Sequence, residues 1–153
     1  MDQQRKSYLI EAASEAQPYP PERGLAQDWL ADNIDAYDDI DWQKRVGGGT
    51  VLGAEYSPGV QAMAYQATRK RVDLVAYLNN TATIIELKDH VDLAAVRQAL
   101  EYAELWKVAP TTPLVVAVVV VGNTGDAEIV DTAAALGVSV ELMQPLSRPL
   151  ARP

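Results

Sequence analysis

The sequence contains no cysteine and a single histidine, His90. These scarcities exclude a disulfide framework, a Cys-type zinc centre and a thiolate nucleophile, so any metal has to be held by oxygen. Long apolar runs are missing too. The longest, "PLVVAVVVVG" from Pro113 to Gly122, is far below the roughly 20 residues of a membrane helix, and its β-branched content predicts a buried strand. The N-terminal "MDQQRKSYLIEAASEAQ" lacks the apolar centre of a signal peptide. The expectation is a soluble, cytoplasmic chain with no membrane partner.

Positive charge is also scarce. Thirteen Lys and Arg stand against 21 Asp and Glu, a net −8, which argues against a surface that attracts nucleic acid everywhere. The deficit is uneven: residues 1–66 carry −6, residues 67–107 balance at zero, and residues 108–153 carry −2. Basic character concentrates in "TRKR", residues 68–71, directly before the first acid of an apolar run.

With 153 residues the chain is long enough for one domain with its own core. Two proline-bearing ends flank it: an N-terminal arm over 1–20, in which "RKSYLIEAASEA" can form a short helix, and an extended tail over 144–153. Both are expected to contact other protein chains, a partner or further copies of this one. Within 21–143, Pro21 opens a helix with an apolar stripe of Leu25, Trp29, Leu30 and Ile34. An acidic, turn-rich segment follows, then a short strand within 47–57 and a turn at Ser57-Pro58-Gly59. "QAMAYQATRKRVDLVAYL" reads as a strand, bent at its basic cluster, and Asn79-Asn80 turns it into the returning strand "TATIIELK". Asp92 caps a helix from Leu93 to about Lys107; the apolar run is a strand covered on both faces; a helix over 126–136 stops at Gly137 before a last strand, "VSVELM". The order α-β-β-β-α-β-α-β predicts an α/β fold with a mixed sheet.

The chemistry lies in the hairpin. Twelve residues separate Asp73 from Glu86, and Glu86 and Lys88 share one strand face because the side-chain period is two. Two carboxylates and an ammonium can therefore converge. Close carboxylates repel unless a divalent cation lies between them, and Mg²⁺ (or Mn²⁺) suits oxygen ligands, with the Leu87 carbonyl as a third. On the next helix Gln98 and Tyr102, four apart, lie on one face and can reach back to this point.

Asp73, then Glu86-Leu87-Lys88, then Gln98 and Tyr102, within this element order over roughly 21–121, resemble the PD-(D/E)xK nuclease superfamily and its RecB-like branch. Val72 stands where the motif's name has proline, and no histidine lies upstream. The resemblance implies a restriction-endonuclease-like α-β-β-β-α-β core and a metal-dependent DNA nuclease. Asp73 and Glu86 would bind the metal, Lys88 would position the attacking water, and Gln98 and Tyr102 would contact DNA or brace the metal site. It also implies an acid on the first helix, for which Glu22 and Asp28 both qualify. Arg69, Lys70 and Arg71 are the expected phosphate-facing residues. The alternative is a nuclease fold kept as a structural part of a larger assembly, such as a phage particle, with its termini clasping neighbours and a location in the virion.

Overall fold

The computed structural model describes residues 1–17, 19–108 and 113–144, leaving out the side chains of residues 115 and 116. Five strands form one mixed sheet in the order β1 (Asp39–Val46), β2 (Lys70–Leu78), β3 (Thr81–Val91), β4 (Leu114–Gly125) and β5 (Ser139–Leu142). β1, β2 and β3 run antiparallel to their neighbours, whereas β3, β4 and β5 are parallel. Helices α1 (Gln3–Ala16) and α2 (Pro20–Asn33) cover one face; α4 (Leu93–Lys107) and α5 (Ala127–Ala135) cover the other. This is the expected α/β fold, and it agrees with a restriction-endonuclease-like core.

Local chemistry explains most of the elements. Asn79 and Asn80 take φ of 49° and 61°, the left-handed pair that lets a two-residue hairpin follow the strand twist. Asp92 accepts the Ala95 N–H at 2.9 Å and starts α4, and Gly137, at φ 80°, follows α5. β4 is buried on both sides, with Val119 and Val121 packed toward α1 and α2 and Val120 toward α4 and α5. Trp29 and Trp106 are core residues.

Three stretches differ from expectation. Residues 58–68 form a helix, α3 (Pro58–Thr68), not the first half of a strand. Ser57 accepts the Val60 N–H and Pro58 occupies the first turn, so the "SPG" turn is a helix start. The short strand lies earlier than expected, in "DIDWQKRV", at the end of the acidic run. And the expected N-terminal arm folds back onto its own chain. Leu9 and Ala13 of α1 are buried against the α2 core, Arg5 pairs with Asp39 at 3.0 Å, and Trp42 Nε1 donates to the Leu9 carbonyl at 3.0 Å. Burying one leucine is worth about 1.5–3 kcal/mol, which adds to these polar contacts in holding α1 on the domain. The expected C-terminal tail lies outside the described residues from 145 onward.

Candidate active site

β2 and β3 are paired only from Leu78↔Thr81 to Leu74↔Ile85. Beyond that point β2 stays with β1, β3 stays with β4, and the sheet forks. Asp73 and Glu86 are the first residues past the last pair, one on each prong. The backbone in a fork loses its ladder partners, and side chains take their place: Asp73 Oδ2 accepts the Leu87 N–H at 2.9 Å. Asp73 Oδ1 accepts from Gln43 Nε2 at 3.2 Å. Gln43 sits in β1 at φ 50°, a left-handed conformation that a non-glycine residue rarely holds and that lies opposite the fork.

Glu86 is 1% exposed, and its Oε2 is buried without a hydrogen-bond partner. Burial, then the Asp73 charge, pushes its carboxyl up to about 9. Lys88 Nζ lies 3.5 Å from Glu86 Oε1 and is partly exposed. Burial alone would lower the Lys88 ammonium, but Glu86, Asp73 and Glu22 together outweigh it and hold it charged to higher pH. Leu87 points the other way, into the α1–α2 core.

Position distinguishes the two helix acids. Glu22, in the first turn of α2, is raised by burial, lowered by Lys88 and raised by Asp73, and it accepts a hydrogen bond from the Asp89 backbone. Asp28 is exposed. The first turn of α2 is fixed here by Asn123, whose Nδ2 donates to Asp89 Oδ1 at 2.8 Å and lies 3.4 Å from the Pro21 carbonyl.

From the opposite face, α4 contributes Gln98 and Tyr102, joined by Gln98 Nε2 to Tyr102 Oη at 2.6 Å. Tyr102 is nearly buried, and its hydroxyl is raised by burial and then by the Glu86 charge. Thus Asp73, Glu86, Lys88 and Tyr102 all act on one another across the fork, and Glu22 joins them from α2.

The basic cluster divides. Arg69 is spent on backbone: Nε donates to the Gly47 carbonyl at 2.7 Å, Nη2 to the Arg45 carbonyl at 3.1 Å, and Nη1 to Gln66 Oε1 at 3.2 Å. It ties the β1–α3 loop to β2 and is not a free phosphate ligand as expected. Lys70 is exposed, 3.8 Å from Glu101, and Arg71 is exposed beside Arg45 in the β1–β2 register. His90 lies on β3 with Nδ1 3.0 Å from Thr124 Oγ1.

Among the described residues no group of three or more His, Asp or Glu forms a ready metal cage. The fit of a divalent cation rests instead on Glu86. A buried carboxyl with one oxygen unpartnered, next to a second carboxylate, is a donor set that a cation would complete and a neutral core would not tolerate. Asp73, Glu86 and the Leu87 carbonyl are the oxygens for it. Sequence reasoning missed Gln43, which carried no local signal.

No family model matches the chain, and no curated protein is significantly similar to it. A crystal structure of a protein of unknown function, AF1548, is similar with a TM-score of 0.47 and 13% identity over 73% of this chain. The chain spans about half of that protein, 53% of its length. Among the described residues no helix is long and apolar enough to cross a membrane.

Proposed function

We propose that this chain is a metal-dependent DNA nuclease of the RecB-like PD-(D/E)xK type. The observation that carries the reading is the buried, half-unpartnered Glu86 carboxyl at the sheet fork, flanked by Asp73 and Lys88. A structural salt bridge would satisfy both carboxylate oxygens; this one leaves Oε2 orphaned at a cost of about 1–3 kcal/mol.

Asp73, Glu86 and the Leu87 carbonyl would hold Mg²⁺ or Mn²⁺, which supplies charge stabilisation to a phosphodiester under attack. The remaining work falls to the chain. Lys88, kept cationic by three carboxylates, offers three donors that orient a water for in-line attack on phosphorus and counter the charge growing on its oxygens. Tyr102, held by Gln98, presents a hydroxyl to a phosphate oxygen from the α4 side. Glu22 anchors the α2 side through the Asp89 N–H and keeps Lys88 aimed across the fork.

The test is cleavage of single- and double-stranded DNA with Mg²⁺ or Mn²⁺, with Lys88→Ala and Glu86→Gln as controls. Cleavage by the wild type and none by either variant is the expected result. No cleavage of any DNA with either ion would sink the nuclease reading and leave the structural role.

A further inference from the structure

Two cavities lie end to end along α4, and the consecutive residues Arg69 and Lys70 join them. The first, about 470 Å³, is lined by Lys70, Ala94, Arg97, Gln98, Glu101 and Tyr102 and opens beside the active-site tyrosine. The second, about 320 Å³, is lined by Tyr65 of α3, by Leu105 and Val108 at the end of α4, and by Gly47 and Arg69. Their chemistry differs. The first offers two exposed cations, two polar side chains and one acid, Glu101; among the described residues Arg97 makes no ion pair or side-chain hydrogen bond, and Lys70 has only a long, solvent-exposed contact to Glu101. Such an exposed pair is worth little and gives way to a stronger anion. The second is mixed: the Tyr65 ring, Leu105 and the 72% exposed Val108 give it an apolar side, and Arg69 with the backbone of Gly47 and Gly48 gives it a polar one.

Helix α3 stands over this second cavity without packing of its own. None of its residues is buried, and it carries no acidic or basic side chain. It is held by hydrogen bonds to its flanking loop: Gln61 Nε2 donates to the Gly53 and Tyr56 carbonyls near its start, and at its C-terminal end Arg45 donates to the Gln66 carbonyl and Thr68 accepts the Thr50 N–H. From Tyr56 to Val72 the chain has three cations and no acid, in a protein at −8 overall. An uncharged helix that exposes Val60, Met63 and Tyr65, with Tyr56 exposed just before it, and has no buried residue contributes little to the fold.

We infer that α4 and α3 form a track for an unpaired DNA strand, with a phosphate on Arg97 and Lys70 beside the active site and a neighbouring base against Tyr65, Leu105 and Val108. The inference deepens the nuclease reading and rests on it for the strand's polarity toward Tyr102. Duplex DNA does not suit the second cavity, because its bases are stacked inward and only phosphates and groove edges are offered. Unpaired strands present both a phosphate and a bare aromatic face, and sequence-neutral binders combine cations with aromatic platforms for that reason.

The experiment is fluorescence anisotropy of the full chain in EDTA, where cleavage cannot intrude, with labelled oligo(dT), a blunt hairpin duplex, an abasic strand and oligo(U). Oligo(dT) should bind at least tenfold tighter than the duplex. Tyr65→Ala should weaken oligo(dT) about tenfold, spare the abasic strand, and be rescued by Tyr65→Trp, in line with loss of one stacked base. Arg97→Ala should weaken all strands and lower the salt slope by about one. Equal binding of duplex and single strand, no effect of Tyr65→Ala on oligo(dT), or preference for oligo(U) would overturn the track. Tyr65 is partly exposed on a helix that buries no residue, so its variants should fold normally. The two readings separate cleanly: a chain that binds oligo(dT) through Tyr65 but never cleaves it supports the track and sinks the nuclease, and a chain that cleaves duplex without regard to Tyr65 does the reverse.

Discussion

The Asp73 carboxylate accepts the Leu87 N–H at 2.9 Å across the point where β2 and β3 part, so one acid both closes the fork and faces Glu86 and Lys88 on either side of Leu87. The two roles can be pulled apart. Asp73→Asn keeps an oxygen acceptor for that N–H, and it should abolish cleavage with little change in thermal stability. Asp73→Ala should abolish cleavage and also destabilise the fold by about 1–3 kcal/mol, the cost of a buried donor left without a partner. Calorimetry on the two variants reads the difference.

Glu86 makes stability depend on pH. Its carboxyl is raised, up to about 9, so the protonated group's contribution is full at acid pH and is lost as pH rises toward 9. In between, the unfolded chain ionises the group and the folded chain resists. Metal-free stability should therefore fall between roughly pH 5 and 9, and Glu86→Gln should flatten that slope and raise Tm at pH 8 by roughly 3–8 °C. Glu22, also raised, acts in the same direction and leaves a residual slope. Asp41, whose burial is outweighed by Lys44 and Tyr77 so that it is held low, loses its contribution only at more acidic pH. Mg²⁺ should raise Tm of the wild type more at pH 8 than at pH 6, and should leave the glutamine variant unmoved.

Lys88→Ala should cut cleavage by about 10²–10⁴-fold, the usual scale for removing a group that positions or exchanges a proton at the reacting centre. Circular dichroism should show an unchanged fold. Because Lys88 lowers the Glu86 carboxyl, its loss should also shift the pH-stability profile so that Glu86 stays protonated to higher pH. Normal turnover in this variant would sink the assigned role.

Tyr102→Phe keeps the ring in its core cluster and removes the hydroxyl bonded to Gln98. Cleavage should fall at least tenfold while stability drops by no more than about 1 kcal/mol, the net worth of an ordinary hydrogen bond. A loss of several kcal/mol with normal activity would instead make Tyr102 a structural donor.

Glu22→Gln should impair cleavage and Asp28→Asn should not, since only Glu22 faces Lys88. Steady-state rates for the two variants under one metal concentration make the comparison.

Much of this arrangement is decided by short-range chemistry that a sequence displays. The Asn79-Asn80 turn, the Asp92 cap, Gly137 after α5 and the unbroken Val run of β4 each act within a few residues, so the hairpin, α4, α5 and the buried strand are legible without a structure. The period of two likewise puts Glu86 and Lys88 together. Helix α3 was hidden because it buries nothing and therefore shows no apolar stripe, while its Ser57-Pro58 start is equally good turn chemistry. β1 was hidden because its acids, Asp39 and Asp41, are partly buried by partners far along the chain, Arg5 for the first and Tyr77 for the second. What only the tertiary structure decided are the long-range matters. The ladder breaks after Leu74↔Ile85, and this brings Asp73 to Leu87; Glu22 rather than Asp28 meets Lys88 because α2 crosses the strand ends at its first turn; Arg69 is consumed by the carbonyls of Arg45 and Gly47. Residue type and local spacing determine which groups are available for chemistry, but whether a given charge faces a partner, a carbonyl or open solvent depends on contacts between segments far apart in the chain, which no local pattern encodes.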